Sequence, residues 1–154
     1  MALGILRGPA GAGKSQEIEP GTLRVDLTAI WVALTGAERD ADGRYPVRGD
    51  GDPALDLARY LKAAAVRQAA RMGLQGVVTT SSSAPEAVER LREQGATGPV
   101  RSIHGAAEVS VDRLSDADGN LSDECRQALE RWFTEPGVVA RAEATVRARK
   151  GKRR

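Results

Sequence analysis

The sequence predicts an α/β fold, a three-layer sandwich in which a mainly parallel sheet of about five strands lies between helices. Short apolar or β-branched segments alternate along the chain with longer segments whose apolar residues recur at helical spacing. Glycine or proline stands at most boundaries between these segments, where the chain must turn. Because neighbouring parallel strands need long crossover connections, this alternation favours a parallel sheet with helices on both faces.

Five segments are predicted to be strands. Residues 2–7 form an apolar run that ends in a glycine-rich turn, which is typical of a buried parallel strand. Residues 76–81 are rich in β-branched side chains, which favour extended backbone. The other three predicted strands are residues 22–27, 99–103 and 108–111.

The most regular predicted helix begins at Pro53 and continues to Gly73. Proline is tolerated in a first helical turn, and apolar residues then recur at helical spacing until the glycine. Five further helices are predicted: a very short one after Ser15 that Pro20 interrupts, 29–36 with Asp26 or Thr28 as its cap, one opened by Ser83-x-x-Glu86 and closed by Gly95, 122–133, and Val138 to about Arg149.

Length and composition indicate one soluble domain. The chain has 154 residues, of which 41% are hydrophobic and 29% charged, and the aromatic content of 3% argues against a nucleic-acid reader that stacks bases. The single Cys125 excludes an intramolecular disulfide, and no cysteine or histidine partners it at zinc-ligand spacing. Without an apolar run long enough to span a bilayer, the protein is expected to be cytoplasmic and free of membranes.

The positive charge is concentrated at the C-terminus. The net charge is only +2, so the chain without its last eight residues would be acidic. We therefore predict a main domain over residues 1–135, followed by a C-terminal helix and basic tail over 136–154. Such a tail either contacts the phosphates of nucleic acid or is simply solvated. Its basic residues are Arg147, Arg149, Lys150, Lys152, Arg153 and Arg154.

A phosphate-binding motif follows the first predicted strand. It reads Gly8-Pro9-Ala10-Gly11-Ala12-Gly13-Lys14-Ser15. The glycines let the backbone fold around a phosphate with its amides pointing inward, the lysine reaches the β and γ phosphates, and the hydroxyl binds magnesium. The position directly after an apolar strand and before a helix start is the context that this motif requires. The motif therefore predicts that residues 1–135 are a nucleotide-binding domain.

Residues 6–15 resemble the Walker A segment of P-loop NTPases, and most closely that of the small kinase-like branch with polynucleotide, nucleoside and adenylate kinases. Short proteins of this type also occur in tailed-phage and prophage genomes. The resemblance implies a P-loop kinase-like fold, ATP or GTP with Mg²⁺, and transfer of the γ phosphate to a nucleoside, nucleotide or polynucleotide acceptor. The nucleotide-binding residues that it implies are Gly8, Gly11, Ala12, Gly13, Lys14 and Ser15, with Ser15 also the metal ligand.

The candidate acid–base residue is Asp26. Kinases of this branch carry an aspartate at the end of the second strand that orients the acceptor hydroxyl, and Asp26 matches that position. The alternative is that Asp26 only caps a helix. The acid that ends the third strand in the family is absent, since Thr79 is followed by Thr80 and three serines. This departure favours a second hypothesis, a nucleotide-binding accessory protein that engages DNA or a protein partner.

Arg113 is the candidate for the arginine that closes over the γ phosphate in such kinases. Arg44 and Arg48, on a polar glycine-rich loop, are rival candidates, and each of the three alternatively lies on the solvated surface. His104 has no partner at catalytic or metal-ligand spacing, which favours a structural role at a strand end. Cys125 recurs with the apolar residues of a helix and is expected to pack there.

Overall fold

The computed structural model describes residues 2–41, 43, 45–46 and 51–153, and it confirms the α/β fold class. None of the helices in these residues is long and apolar enough to cross a membrane. The strands are β1 (Leu3–Arg7), β2 (Arg24–Val25), β3 (Gly76–Thr80) and β4 (Val100–Ser102). The helices are α1 (Leu27–Thr35), α2 (Pro53–Arg71), α3 (Pro85–Gln94), α4 (Ala107–Leu114), α5 (Asp123–Trp132) and α6 (Val138–Lys152), with a 3-10 turn at Lys14–Glu17.

The sheet is open and parallel, with the strand order β2-β3-β1-β4. The prediction of five strands is wrong, because the described residues contain four. Residues 108–111, predicted as a strand, belong to α4. Their β-branched valines resemble a strand, but Ala107, Ser110 and Val111 are the buried positions of this segment, and that spacing is helical.

The second strand is much shorter than the predicted 22–27. Only Arg24 and Val25 are in β2, where they lie opposite Val77 and Val78 of β3. The chain leaves the sheet at Asp26, whose side chain accepts a hydrogen bond from the backbone N–H of Ala29 and so caps α1. The strand therefore ends at Val25, because the next residue already caps the helix.

The cap of α3 also differs from the prediction. Ser83 and Glu86 were expected to form a reciprocal capping box, yet the N-cap residue is Ala84, which makes no side-chain cap. Pro85 occupies the first helical turn, and its fixed φ and missing N–H suit that position. Proline thus moves the N-cap one residue beyond the serine, and the helix begins at Pro85. Gly95 ends it in the left-handed conformation, as predicted.

By its internal contacts the chain divides into two compact units. The first comprises Met1–Leu6, Ile18–Thr80 and Ala84–Arg101. Its main core contains apolar residues from β1, β2, β3, α2 and α3, and a smaller cluster forms around Trp31 between α1 and α2. The main core consists of Leu3, Ile5, Val25, Val66, Ala69, Val78, Leu91 and Ala96.

The second unit comprises Arg7–Glu17, Ser81–Ser83 and Ser102–Arg154. Helices α4, α5 and α6 share one core in this unit. The last helix was predicted to end near Arg149, but it continues to Lys152, so most of the predicted tail is helical. The core residues are Ala107, Val111, Leu121, Leu129, Val139, Ala142 and Val146.

Candidate phosphate-binding site

The predicted phosphate loop lies in the second unit and depends on glycine at three positions. A Cβ on Gly8 would clash with the carbonyl oxygen of Ile103, just beyond β4. Gly11 and Gly13 adopt φ of 75° and 87°, a left-handed backbone that other residues rarely adopt. The loop therefore has its present conformation because these residues lack side chains.

The ammonium of Lys14 lies against the start of the loop. Its Nζ donates hydrogen bonds to the carbonyl oxygens of Gly8 at 2.7 Å and Pro9 at 2.9 Å, and to Ser81 Oγ at 3.0 Å. The residue is only 9% exposed. The lysine side chain thus closes the loop back upon its own first residues, and Ser81 supplies the third acceptor.

Ser15, the predicted magnesium ligand, lies in the 3-10 turn directly after Lys14 and is exposed. Within the described parts of the chain, no three acidic, histidine or cysteine side chains are grouped as a metal site. Magnesium commonly binds proteins through few side chains and completes its shell with phosphate oxygens and water. The exposed Ser15 hydroxyl is compatible with that mode, in which a protein supplies few of the ligands.

Arg113, in the last turn of α4, contacts the predicted phosphate loop. Its Nη1 donates to the carbonyl oxygen of Gly11 at 3.0 Å, and its Nη2 lies 3.4 Å from Gln16 Oε1. The structure therefore brings together Lys14 and Arg113, two of the residues that the sequence singled out. The rival arginines, Arg44 and Arg48, lie outside the described residues.

The sequence analysis missed three contacts of the segment that follows β3. Ser81 Oγ accepts from Lys14, and the Ser81 carbonyl accepts from Trp132 Nε1 at 2.8 Å. Arg7 Nη2 donates to the Ser83 carbonyl at 3.0 Å, and its guanidinium lies over the Trp132 ring at 5.1 Å. The absence of an acid at this strand end was the only available signal, and it did not indicate that a serine would contact the lysine.

Asp26 lies in the first unit, and both of its carboxylate oxygens accept hydrogen bonds. Oδ1 accepts from Ala29 N at 2.9 Å, and Oδ2 accepts from Thr79 Oγ1 at 2.6 Å. Lys62 Nζ in turn donates to the Thr79 carbonyl at 2.6 Å. Burial lowers the pKa of Lys62, while the nearby charge of Asp26 acts in the opposite direction. Asp26 thus has the capping role that the sequence left open, within a small polar cluster that the sequence did not indicate.

His104 and Cys125 both pack within the second unit. The His104 ring lies 5.9 Å from Trp132 and 5.1 Å from Phe133, measured between centroids. Cys125 is partly buried against the core of α4, α5 and α6. Both residues thus contribute to the packing of this unit.

The basic C-terminal residues divide into one buried lysine and several exposed side chains. Lys150 is 9% exposed and donates to Ser115 Oγ and the Asp116 carbonyl, both at 2.9 Å, and to the Asp112 carbonyl at 3.3 Å. Arg154 lies outside the described residues. The exposed basic residues are Arg147, Arg149, Lys152 and Arg153.

Comparison of the chain with protein-family models, with curated proteins and with solved structures finds no match. The resemblance to P-loop kinases therefore depends on the motif of residues 6–15 itself.

Proposed function

We propose that this chain binds the triphosphate of ATP or GTP, with magnesium, through residues 8–15 and transfers the γ phosphate to a nucleoside, nucleotide or polynucleotide acceptor. In this proposal the protein is a small cytoplasmic member of the P-loop kinase-like branch, with the three-layer fold of that branch.

The observation that supports the proposal is the closed loop around Lys14. A chance glycine-rich turn needs no buried ammonium, whereas Lys14 donates to the carbonyls of Gly8 and Pro9 while Gly11 and Gly13 hold left-handed backbone. An ammonium on a loop of this kind attracts phosphate oxygens. Arg113 adds a second cation on the same loop through its bond to the Gly11 carbonyl.

The proposal assigns a role to each candidate residue. Lys14 and the loop amides hold the triphosphate, Ser15 binds Mg²⁺, Arg113 offsets the charge on the γ phosphate, and Asp26 orients the acceptor hydroxyl. The remaining loop residues of the proposed site are Gly8, Gly11, Ala12 and Gly13.

Transfer of radiolabelled γ phosphate tests the activity. Wild type is incubated with labelled ATP or GTP and a panel of nucleosides, nucleotides and 5′-hydroxyl oligonucleotides. Asp26→Asn should keep nucleotide affinity but lower transfer by about a hundredfold or more, the scale for removing a positioned general base. Asparagine is also a good N-cap, so α1 should be preserved in this variant.

Asp52→Asn is a matched control. Asp52 caps α2 as Asp26 caps α1, since its Oδ1 accepts from Ala54 N at 2.9 Å and its Oδ2 accepts from Trp31 Nε1 at 3.0 Å. This variant should transfer phosphate at the wild-type rate. Equal losses in the two variants would reduce Asp26 to a helix cap.

A second candidate function is a phage-encoded, nucleotide-binding accessory protein that engages DNA or a protein partner. Two observations favour it: both carboxylate oxygens of Asp26 are engaged in structural hydrogen bonds, and β3 ends in threonines followed by serines where the kinases have an acid. A wild type that binds nucleotide but is inert on every acceptor would favour this function. Its DNA affinity should then fall with salt and after Arg149, Lys152 and Arg153 are changed to glutamine.

A further inference from the structure

The Lys14 ammonium has a full set of hydrogen bonds in the closed loop. An ammonium carries three N–H groups, and those of Lys14 are directed to the Gly8 carbonyl, the Pro9 carbonyl and Ser81 Oγ. A phosphate oxygen that binds this ammonium must therefore displace one of the three acceptors or share its proton. The three acceptors are not equivalent.

Ser81 is the acceptor that can leave at least cost to the loop. The Gly8 and Pro9 carbonyls belong to the same loop as Lys14, so releasing either of them would open the loop. Ser81 lies 67 residues along the chain, its bond is the longest of the three at 3.0 Å, and it is exposed to water that can replace the lost contact. Its backbone is held separately, because the Ser81 carbonyl accepts from Trp132 Nε1. A rotation of the serine side chain is thus sufficient to release the ammonium.

We propose that Ser81 is the exchangeable partner of Lys14: its hydroxyl positions the ammonium in the closed loop, and a phosphate oxygen takes its place when ligand binds. The neutrality of the hydroxyl is essential to this exchange. A carboxylate at position 81 would hold the ammonium by charge as well as by hydrogen bonding and would repel the arriving phosphate. This inference rests on the proposed function, and it makes the charge of the side chain at position 81 a determinant of phosphate affinity.

Calorimetric titration with inorganic tripolyphosphate in the absence of magnesium tests the proposal. Ser81→Asp should bind at least about tenfold more weakly than wild type, because the new carboxylate competes for Lys14. Ser82→Asp makes the same charge change at the neighbouring residue and should stay within about threefold of wild type. Ser81→Thr keeps the hydroxyl and should bind tripolyphosphate with wild-type affinity.

Ser81→Ala provides a second, independent comparison. It removes the competing acceptor from an exposed position, so folding is not at risk and affinity should be unchanged or up to about threefold higher. A tenfold or larger loss in Ser81→Ala would overturn the exchange, since it would make Ser81 a direct phosphate ligand. Equal weakening by the two aspartate variants would also overturn it. Failure of the wild type to bind tripolyphosphate, ATP and GTP would reject the proposed function itself.

Discussion

Two lysines of the second unit make nearly the same set of hydrogen bonds in different settings. Lys14 and Lys150 are each 9% exposed, and each donates to two backbone carbonyls and one serine hydroxyl. The acceptors of Lys14 include the first residues of a glycine loop. Those of Lys150 are the Asp112 carbonyl in the last turn of α4 and the residues that follow this helix.

The difference shows that the hydrogen bonds alone do not identify a binding lysine. The end of a helix leaves carbonyls without intrahelical partners and favours a cation, so Lys150 has a structural reason to be buried there. The Asp112 carboxylate, 4.0 Å from Lys150 Nζ, adds to that reason. Lys14 instead lies in a loop whose left-handed glycines are unnecessary for burying a lysine. The backbone that surrounds the ammonium, more than its bonds, supports a ligand-binding role.

The largest expected effect is a difference in nucleotide affinity between variants of the two lysines. If the proposed function holds, Lys14→Ala should lower the affinity for magnesium ATP or GTP by about a hundredfold or more, because the proposal assigns to this charge the binding of the β and γ phosphates. Lys150→Ala loses a matching set of bonds and should stay within about threefold of wild type. Calorimetric titration measures both. Unchanged affinity in Lys14→Ala would remove the phosphate-loop interpretation.

The next effect concerns stability. Lys150→Ala should lower the free energy of unfolding by about 1–3 kcal/mol, because it removes the donor to the buried Ser115 hydroxyl and to the part-buried carbonyls of Asp112 and Asp116. Arg149→Ala, at an exposed position of the same helix, should change it by less than about 0.5 kcal/mol. Urea denaturation followed by circular dichroism measures both values. If the two variants are equally stable, Lys150 does not cap α4.

Deletion of residues 147–154 should also be destabilising, because it removes Lys150. This deletion is therefore a poor test of DNA binding.

A smaller effect is expected at the second cation of the loop. Arg113→Ala should weaken nucleotide binding by about tenfold, since one charge-assisted contact is lost while Lys14 remains. Arg131→Ala, an exposed arginine of α5, should bind as wild type does. The measurement is the same titration. Equal affinity in the two variants would place Arg113 among the solvated surface arginines and leave Lys14 as the cation that matters.

The smallest effect is a pH dependence that distinguishes two buried charges of α6. The hydrogen bond from Arg126 holds the pKa of Glu143 below its ordinary value, and the nearby Arg126 charge acts in the same direction. A lowered folded pKa stabilises the protein above the unfolded pKa of the carboxyl, and that stability is lost as the pH falls through the folded pKa.

The thermal stability of the wild type should therefore fall between about pH 5 and pH 3, and the stability of Glu143→Gln should fall less over the same interval. Thermal unfolding followed at several pH values measures both. Lys150→Ala should keep the full wild-type dependence. A Glu143→Gln variant with the wild-type slope would show that other carboxyl groups cause the acid sensitivity.

Local patterns predicted much of the fold. The α2 helix followed from apolar spacing between Pro53 and Gly73, and β1 followed from an apolar run before the glycine loop, because both signals lie within a few neighbouring residues. Residues 108–111 were misassigned for the converse reason. A four-residue run that contains two valines fits either a strand or a helix, and packing against α6 decided for the helix.

The candidate site was predicted in part. The loop residues and Arg113 could be selected because a motif and a chain order point to them. The contacts of Lys14 with Ser81 and of Trp132 with Ser81 join residues 67 and 51 positions apart. No local spacing encodes such pairs, since they depend on which elements pack together.

By itself, the sequence determined the phosphate motif, the alternation of strands and helices, and the glycines that permit the loop. These features act through local backbone conformation and through periodicity, which a chain carries before it folds. Only the tertiary structure decided that Asp26 caps α1, that Lys150 is buried while Arg149 is exposed, and that Ser81 holds Lys14. Each of those outcomes depends on which polar groups lose water when distant segments come together, and burial of this kind is a property of the packed chain.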